Sequence, residues 1–320
     1  MSKTNLILNP NQTVLVLGGN GFIGRHIVDY LERVGATVVI GTRGIQGKHE
    51  PGSRKCILQN IEHVSDWDRH LEGIDVVVNA VGILRQRFRE TYEQVHYRAV
   101  ACLVDACAKK RIRLVHISVL GLDNEIRSRF VTSKRRAEQM IQASHADWYL
   151  VRPSLVDNGG EPGVGGNGAK WFRRMAQWPV QFVPANAKGR IAPIHVRDLG
   201  EATARLALAE APAERVYELG GDQYLTVLEY FAALCPRRPR FVIRVPAWLA
   251  RGLSHVLDVL HLTPFSFGHY ELLKYDNVPK INRLGGLLGR PARNISWAIR
   301  PQGISSLARG ATKSSLAREK

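Results

Sequence analysis

Long apolar runs are missing from this chain of 320 residues. No stretch approaches the roughly 18 consecutive apolar residues of a membrane-spanning helix, which excludes an integral helical membrane protein. Met1 to Gln12 is polar with one lysine and has no apolar segment of the secretory kind, so a cytoplasmic address is expected. Cysteine is scarce. Cys56, Cys102, Cys107 and Cys235 form no CxxC pair, which argues against a disulfide framework and against a zinc site, so no metal is expected. Disorder is excluded for most of the chain, because 45% hydrophobic and 23% charged residues is ordinary globular usage. Acidic residues are in deficit, 28 against 45 Lys and Arg, which leaves a net charge of +17.

That surplus is uneven. From Pro236 to Lys320 there are 15 Lys and Arg against four acids, so about a quarter of the chain holds most of the excess. Such asymmetry suits a polyanionic partner, either nucleic acid or an anionic membrane surface, although a generally basic proteome would also produce it. There is no helix-turn-helix pattern, RNP motif or zinc finger, and aromatic residues are not interleaved with the basic clusters. Specific nucleic-acid binding is therefore not expected.

What is present is a β-α alternation. Thr13 to Leu17 (TVLVL) is a short β-branched run ending in glycines, followed by the helical pattern HIVDYLERVGA. Further strands are expected at Thr37–Ile40, Lys55–Leu58, Asp75–Asn79, Leu114–Ser118 and Tyr149–Arg152, with helices at Val95–Lys110 and Thr132–Ser144 between them. The alternation predicts an α/β fold, a Rossmann-type doubly wound parallel sheet. Residues 1–155 would form the dinucleotide-binding part. Residues 156–307 would form a smaller substrate or docking region interleaved with it, and 308–320 a basic flexible tail. Asn158 to Gly168 (NGGEPGVGGNG) holds six glycines in eleven positions and reads as a mobile loop, a linker or a lid over a ligand.

Gly18, Gly21 and Gly24 stand three apart between the first strand and the first helix. In that context the segment Gly18, Gly19, Asn20, Gly21, Phe22, Ile23, Gly24 and Arg25 is a loop whose backbone N–H groups and helix terminus suit a pyrophosphate. An acid at the end of the second strand would bind the adenosine ribose and repel a 2′-phosphate; Gly41, Thr42 and Arg43 stand there instead. Arg43, joined by Arg25, could pair with that phosphate, which favours NADP(H) over NAD(H). Either arginine could equally be a solvated surface charge. Asn60, after the third strand, could face adenine, and Ala80, Val81 and Gly82, after the fourth, would run along the cofactor's middle.

An ordered series of motifs then carries a family resemblance: VLVLGGNGFIGRHIV, VVVNAVGIL, EQVHYRAVACLVDACAKKRIRLVHISVLGL, SKRRAEQMI, LVRPSLV, IAPIHVRDLGEA, VYELGGDQYLT and LLKYDNV. Over roughly residues 13–290 the chain resembles the extended or atypical short-chain dehydrogenases/reductases (SDRs). Within them it resembles the nucleotide-binding accessory subunit of respiratory complex I and its bacterial relatives. In active members a Ser or Thr after the fifth strand polarises the substrate oxygen. The tyrosine of a YxxxK helix is the acid/base, and its lysine binds the nicotinamide ribose. Ser118 and Lys134 match two of these roles, but Phe130 stands where the tyrosine belongs. A missing positioned acid/base costs about 10²–10⁴-fold in rate. Tyr92, Tyr97 and His96 are the nearby stand-ins or, more simply, groove and core residues. The resemblance places Arg152, Pro153 and Ser154 on the substrate side near the nicotinamide.

Val245 to Leu262 reads as a helix after Pro246, with Trp248, Leu249, Leu253, Val256, Leu257 and Leu260 near helical spacing. It would either pack on the second region or lie on a bilayer together with Thr263–Phe267. In the second case Arg237, Arg238, Arg240, Arg244, Lys274 and Lys280 would face anionic headgroups. The expectation is an NADP(H)-binding atypical SDR, peripheral on the inner face of a membrane. It would serve as accessory or assembly factor to a membrane enzyme complex in quinone or lipid metabolism. The alternative is an active NADPH-dependent oxidoreductase or epimerase on a hydrophobic or nucleotide-linked substrate.

Overall fold

In the run Thr13–Leu17, neighbouring side chains must point to opposite faces of a strand. The whole run is apolar beyond its first residue, so both faces need cover. The computed structural model supplies it. It describes residues 6–42, 53–55, 60–86, 90–126, 128–159, 167–235, 241–259 and 267–295. Arg43, the expected strand from residue 56 onward, residues 160–166 of the glycine-rich loop, Arg237, Arg238, Arg240, residues 260–266 and the basic tail lie outside these.

The first half runs β1 (Thr13–Leu17), α1 (Gly24–Arg33), β2 (Thr37–Thr42), β3 (Ser53–Lys55), a 3-10 stretch (Val64–His70) and β4 (Val76–Asn79). A π-helical turn (Glu93–Arg98) then enters α2 (Ala99–Lys110), followed by β5 (Arg113–Ile117), α3 (Arg129–Ala143) and β6 (Trp148–Pro153). The second half runs β7 (Val156–Asp157), α4 (Asn167–Ala176), β8 (Val180–Pro184), β9 (Arg190–Ile191), β10 (Ile194–His195), α5 (Val196–Leu208) and β11 (Val216–Leu219). It ends with β12 (Leu225–Thr226), α6 (Val227–Leu234), β13 (Phe241–Val245), α7 (Ala247–Val259), α8 (Phe267–Leu272) and α9 (Leu284–Leu288).

Seven strands form one sheet in the order β11-β6-β5-β4-β1-β2-β3, every pair parallel. The order reverses between β1 and β4, where open α/β sheets bind ligands. Val14 and Val16, with Val76, Val78, Val115 and Ile117, pack against Ile27 and Leu31 of α1, Leu199 and Leu206 of α5, and α9. The intervening Leu15 and Leu17, with Val77, Leu114 and Leu150, pack against Val100, Leu103 and Val104 of α2 and Ile141 of α3. Each fully buried aliphatic side chain stabilises by about 1.5–3 kcal/mol. Because β11 pairs with β6 and α5 crosses α1, residues from the second half complete both the sheet and one helical layer.

The rest of the second half has its own small core of Phe172, Ala176, Ile191, Val227, Tyr230 and Phe231. Buried Asp157 ties it together, accepting hydrogen bonds from the Arg173 guanidinium and the Tyr230 hydroxyl. Helix α6 begins at Val227 because Thr226 is its N-cap. The Thr226 side chain accepts from Glu229 N at 3.3 Å, and the Glu229 carboxylate returns to Thr226 N at 2.7 Å. Among the described residues β13 pairs only with β8, in parallel.

Candidate active site

The loop after β1 is built for close backbone approach. Gly18 has φ +76°, a left-handed conformation that favours glycine, and its N–H donates to Gly41 O at 2.8 Å. A Cβ on Gly24 would stand 2.1 Å from Gly18 O and 2.9 Å from Gly19 Cα, so any larger residue would force the loop away from α1. α1 has no side-chain cap and no acid in its first turn, which leaves its positive end uncompensated. Asn20 and Gly21 are exposed at the rim, while Phe22 and Ile23 are half-buried. Arg25 lies back over the loop, its Nε donating to Gly21 O at 3.0 Å. Asn60 is exposed beyond β3.

The facing wall is Ala80, Val81 and Gly82. Ala80 N donates to Leu17 O at 3.1 Å, and a Cβ on Gly18 would meet Val81 Cγ2 at 3.2 Å. Two residues that the motif reading passed over hold this wall. Buried Asn79 accepts from Val81 N at 3.1 Å through Oδ1, and its Nδ2 lies 3.1 Å from His116 Nδ1. Since an amide nitrogen donates, His116 Nδ1 must accept, and the ring is neutral. Burial, and secondarily the Lys134 ammonium, push His116 down to about 3.

The expected catalytic positions converge at the same edge. A Cβ built on Gly82 would lie 4.0 Å from both Lys134 Nζ and His96 Nε2. Lys134 is buried, which lowers it to about 8 against the opposing pull of Glu138. Ser118 is likewise buried, and its Oγ has no partner among the described residues. A buried ammonium beside Gly82 and an unpartnered Ser118 hydroxyl fit a polar ligand such as a dinucleotide.

Phe130 is only 5% exposed. Ser128 caps α3 by accepting from Val131 N at 3.2 Å, so α3 starts earlier than the sequence pattern suggests and Phe130 sits in its first turn. The ring lies 5.6 Å from Tyr92, 5.7 Å from His96 and 4.6 Å from His269, centroid to centroid, over a floor of Leu122, Ile126 and Leu272. The π-helical turn ahead of α2, unforeseen in the helical spacing, carries His96 to this cluster.

Of the stand-ins for the tyrosine, His96 is committed at both nitrogens. Nε2 accepts from Ile83 N at 3.1 Å, while Nδ1–H faces Ser133 Oγ at 3.1 Å, whose own proton goes to Phe130 O at 2.8 Å. Burial first, then the Lys134 ammonium, hold it well below the usual imidazole range. The Tyr92 hydroxyl donates to Leu84 O at 2.9 Å, and Tyr97 lies beneath the Arg136 guanidinium at 3.9 Å. His269, distant in the chain and carried by α8, had no signal in the sequence.

Arg152, expected to face a substrate, is turned instead to Glu138. Its Nε donates to both carboxylate oxygens at 3.0 and 3.1 Å, with Asp123 and Glu218 within 3.8 Å. Pro153 O accepts from Leu120 N at 3.1 Å. Ser154 Oγ donates to Asn277 O at 2.6 Å and accepts from Ala192 N at 3.0 Å, so this stretch ties the sheet edge to the second half. Among the described residues no group of three or more His, Cys, Asp or Glu side chains is placed to hold a metal.

Residues 18–171 match an NAD(P)H-binding family. The chain is 26% identical over 225 residues to the mitochondrial NADH dehydrogenase [ubiquinone] 1 alpha subcomplex subunit 9 of Dictyostelium discoideum, covering 67% of this chain and 61% of that relative. The chain thus spans about three fifths of that curated relative's length. To the ceramide reductase of Caulobacter vibrioides it is 25% identical, covering 83% of this chain and 86% of that one. A UDP-glucuronic acid 4-epimerase from Bacillus cereus, solved with NAD, superposes with a TM-score of 0.61 at 14% identity over 89% of this chain and 95% of that one, a likeness of fold alone. The parallel sheet, the glycine cradle at its switch point and these matches lead to one conclusion: the chain has a Rossmann-type fold, and through residues 18–171 it is similar to an NAD(P)H-binding family.

Proposed function

We propose that the protein is an NADP(H)-binding atypical SDR that serves as an accessory, assembly or regulatory factor at a membrane, linked to quinone or lipid metabolism. One observation supports this reading: Phe130, four residues before Lys134, lies against Tyr92 and His96 in an aromatic cluster, while the buried Ser118 hydroxyl has no partner among the described residues. The names of the relatives, a ubiquinone-linked dehydrogenase subunit and a ceramide reductase, point the same way. The chain would sit on the cytoplasmic, inner face of the membrane beside a membrane enzyme complex.

The loop from Gly18 to Arg25 would take the pyrophosphate on its backbone, with Ala80 to Gly82 along the middle of the molecule. Arg25 and Arg43 would meet a 2′-phosphate, and Lys134 would donate to the nicotinamide ribose. When bound, the nicotinamide would supply or accept a hydride. Phe130 can neither give nor take the matching proton, and this removes about 10²–10⁴-fold in rate. Burial has brought Lys134 to about 8, so its donor charge fades above that pH, and dinucleotide affinity is expected to fall between pH 7 and 9.

Fluorescence titration tests the cofactor. NADPH should bind at least about tenfold tighter than NADH, a difference near 1.4 kcal/mol, and Arg43→Ala should erase the difference. Equal affinity in both proteins would defeat the NADP(H) assignment. NADPH oxidation tests the accessory role: it should be near zero in wild type and rise in Phe130→Tyr. A second reading, an active reductase on a hydrophobic or nucleotide-linked substrate, is favoured by the His269 imidazole against Phe130. Wild-type turnover abolished by Ser118→Ala, Lys134→Ala and His269→Phe would establish that reading and overturn the first.

A further inference from the structure

Large apolar side chains on this molecule are exposed in one stretch far more than elsewhere. Strand β13 shows Phe241 (73% exposed), Val242 and Ile243 to solvent, and Phe182 of β8, in register with Ile243, is exposed beside it. One exposed residue further on, Pro246, α7 begins. Among the described side chains of this helix, Ala250 is buried and Ser254 half-buried, while Trp248 (76% exposed), Leu249, Leu253 and Val256 are exposed. Single exposed apolar residues are ordinary on any protein; eight on adjoining elements mark a surface that something covers.

We infer that the β8–β13 ribbon and α7 together form one lipid-binding face, which rests on an anionic bilayer without crossing it. This inference rests on the membrane reading above and deepens it, because the sequence pattern singled out the helix but not the ribbon. Charge decides between the occupants. From Arg237 to Val259 the sequence has five arginines, Arg237, Arg238, Arg240, Arg244 and Arg251, against one acid, Asp258. Arg244 and Arg251 are exposed on the two elements themselves. A second copy docked face to face would set arginine against arginine. An anionic leaflet attracts each by about 1 kcal/mol. Trp248 suits the boundary between headgroups and acyl chains, where an indole can bury its ring and still donate its N–H. Among the described residues no helix is long and apolar enough to cross a membrane, so the contact is one-sided.

Flotation of the full chain tests this. The probes are phosphatidylcholine vesicles and vesicles of phosphatidylcholine and phosphatidylglycerol in roughly equal parts, on which the attraction of P-containing anionic headgroups acts. Wild type should float with the anionic vesicles only and lose binding as salt rises. The ribbon double variant Phe241→Ser/Ile243→Ser and the helix double variant Leu253→Ser/Val256→Ser should each lower partitioning at least about tenfold, since each removes two apolar anchors. Unchanged NADPH titration would show that both variants are folded. If wild type floats and the ribbon variant floats equally well, the ribbon is no part of the face and this inference fails while the membrane reading stands. If wild type floats with neither vesicle, both fail. A dimer in sedimentation that the ribbon variant abolishes would assign the face to a second copy and overturn the lipid assignment.

Discussion

Strands β4 (Val76–Asn79) and β13 (Phe241–Val245) are both short, apolar and largely β-branched, yet every residue of β4 is buried and four of the five in β13 are exposed. β4 has β1 on one side, β5 on the other and helices over both faces. Among the described residues β13 pairs only with β8, and Phe241, Val242, Ile243 and Arg244 are exposed. Hydrophobicity decides that a segment seeks cover; the number of packed neighbours decides whether the fold itself provides it. In the first region apolar residues stabilise the molecule. In the second they remain available to a partner.

Opposite responses to one kind of substitution would sharpen that contrast. Val77→Asp would bury an unpaired carboxylate at the centre of the sheet and should cost about 3–5 kcal/mol, read as a collapse of the urea midpoint. Equal tolerance of Val77→Asp and Ile243→Asp would break the comparison. The next effect comes from acid. His116 is held neutral at about 3, whereas an unfolded histidine titrates near 6.5, so below pH 6.5 the unfolded chain takes up a proton that the native state refuses. Stability should therefore fall as pH drops from about 6.5 toward 3, at about 1.4 kcal/mol per pH unit for this group. His116→Gln should flatten the slope between pH 7 and 5 in urea titrations, and an unchanged slope would remove His116 as its source. Thr226→Ala should cost about 1 kcal/mol by uncapping α6, measurable in the melting temperature. Smallest of all, Ile243→Asp should shift stability in solution by less than about 0.5 kcal/mol.

Much of the first region was legible because its signals are local. The apolar run of β1, the triple glycine spacing and the following helix lie within Thr13–Arg33, and they fold as they read. Phe130 could be identified from its spacing to Lys134 alone. What stayed hidden depends on distant partners. Asn79 looks like the polar end of a strand until β5 brings His116 to it. Arg152 reads as a free cation until α3 presents Glu138 one turn beyond Lys134. The π-helical turn that aims His96 at Phe130 has no period the sequence advertises. Short pairs such as β7 with β10 and β9 with β12 are two residues long, too brief for alternation to mark.

The sequence alone determined that a doubly wound sheet would form and that a glycine-spaced loop would join its first strand to its first helix. It also determined that phenylalanine would stand four residues before Lys134. These follow from side-chain periodicity and from residue identity at fixed spacing, both of which act over a few residues. Only the tertiary structure decided which polar groups would stand beside Gly82, which imidazole from α8 would meet Phe130, and which apolar side chains of α7 would be exposed. Those outcomes are set by packing between segments far apart in the chain, where the burial available to each depends on all the others.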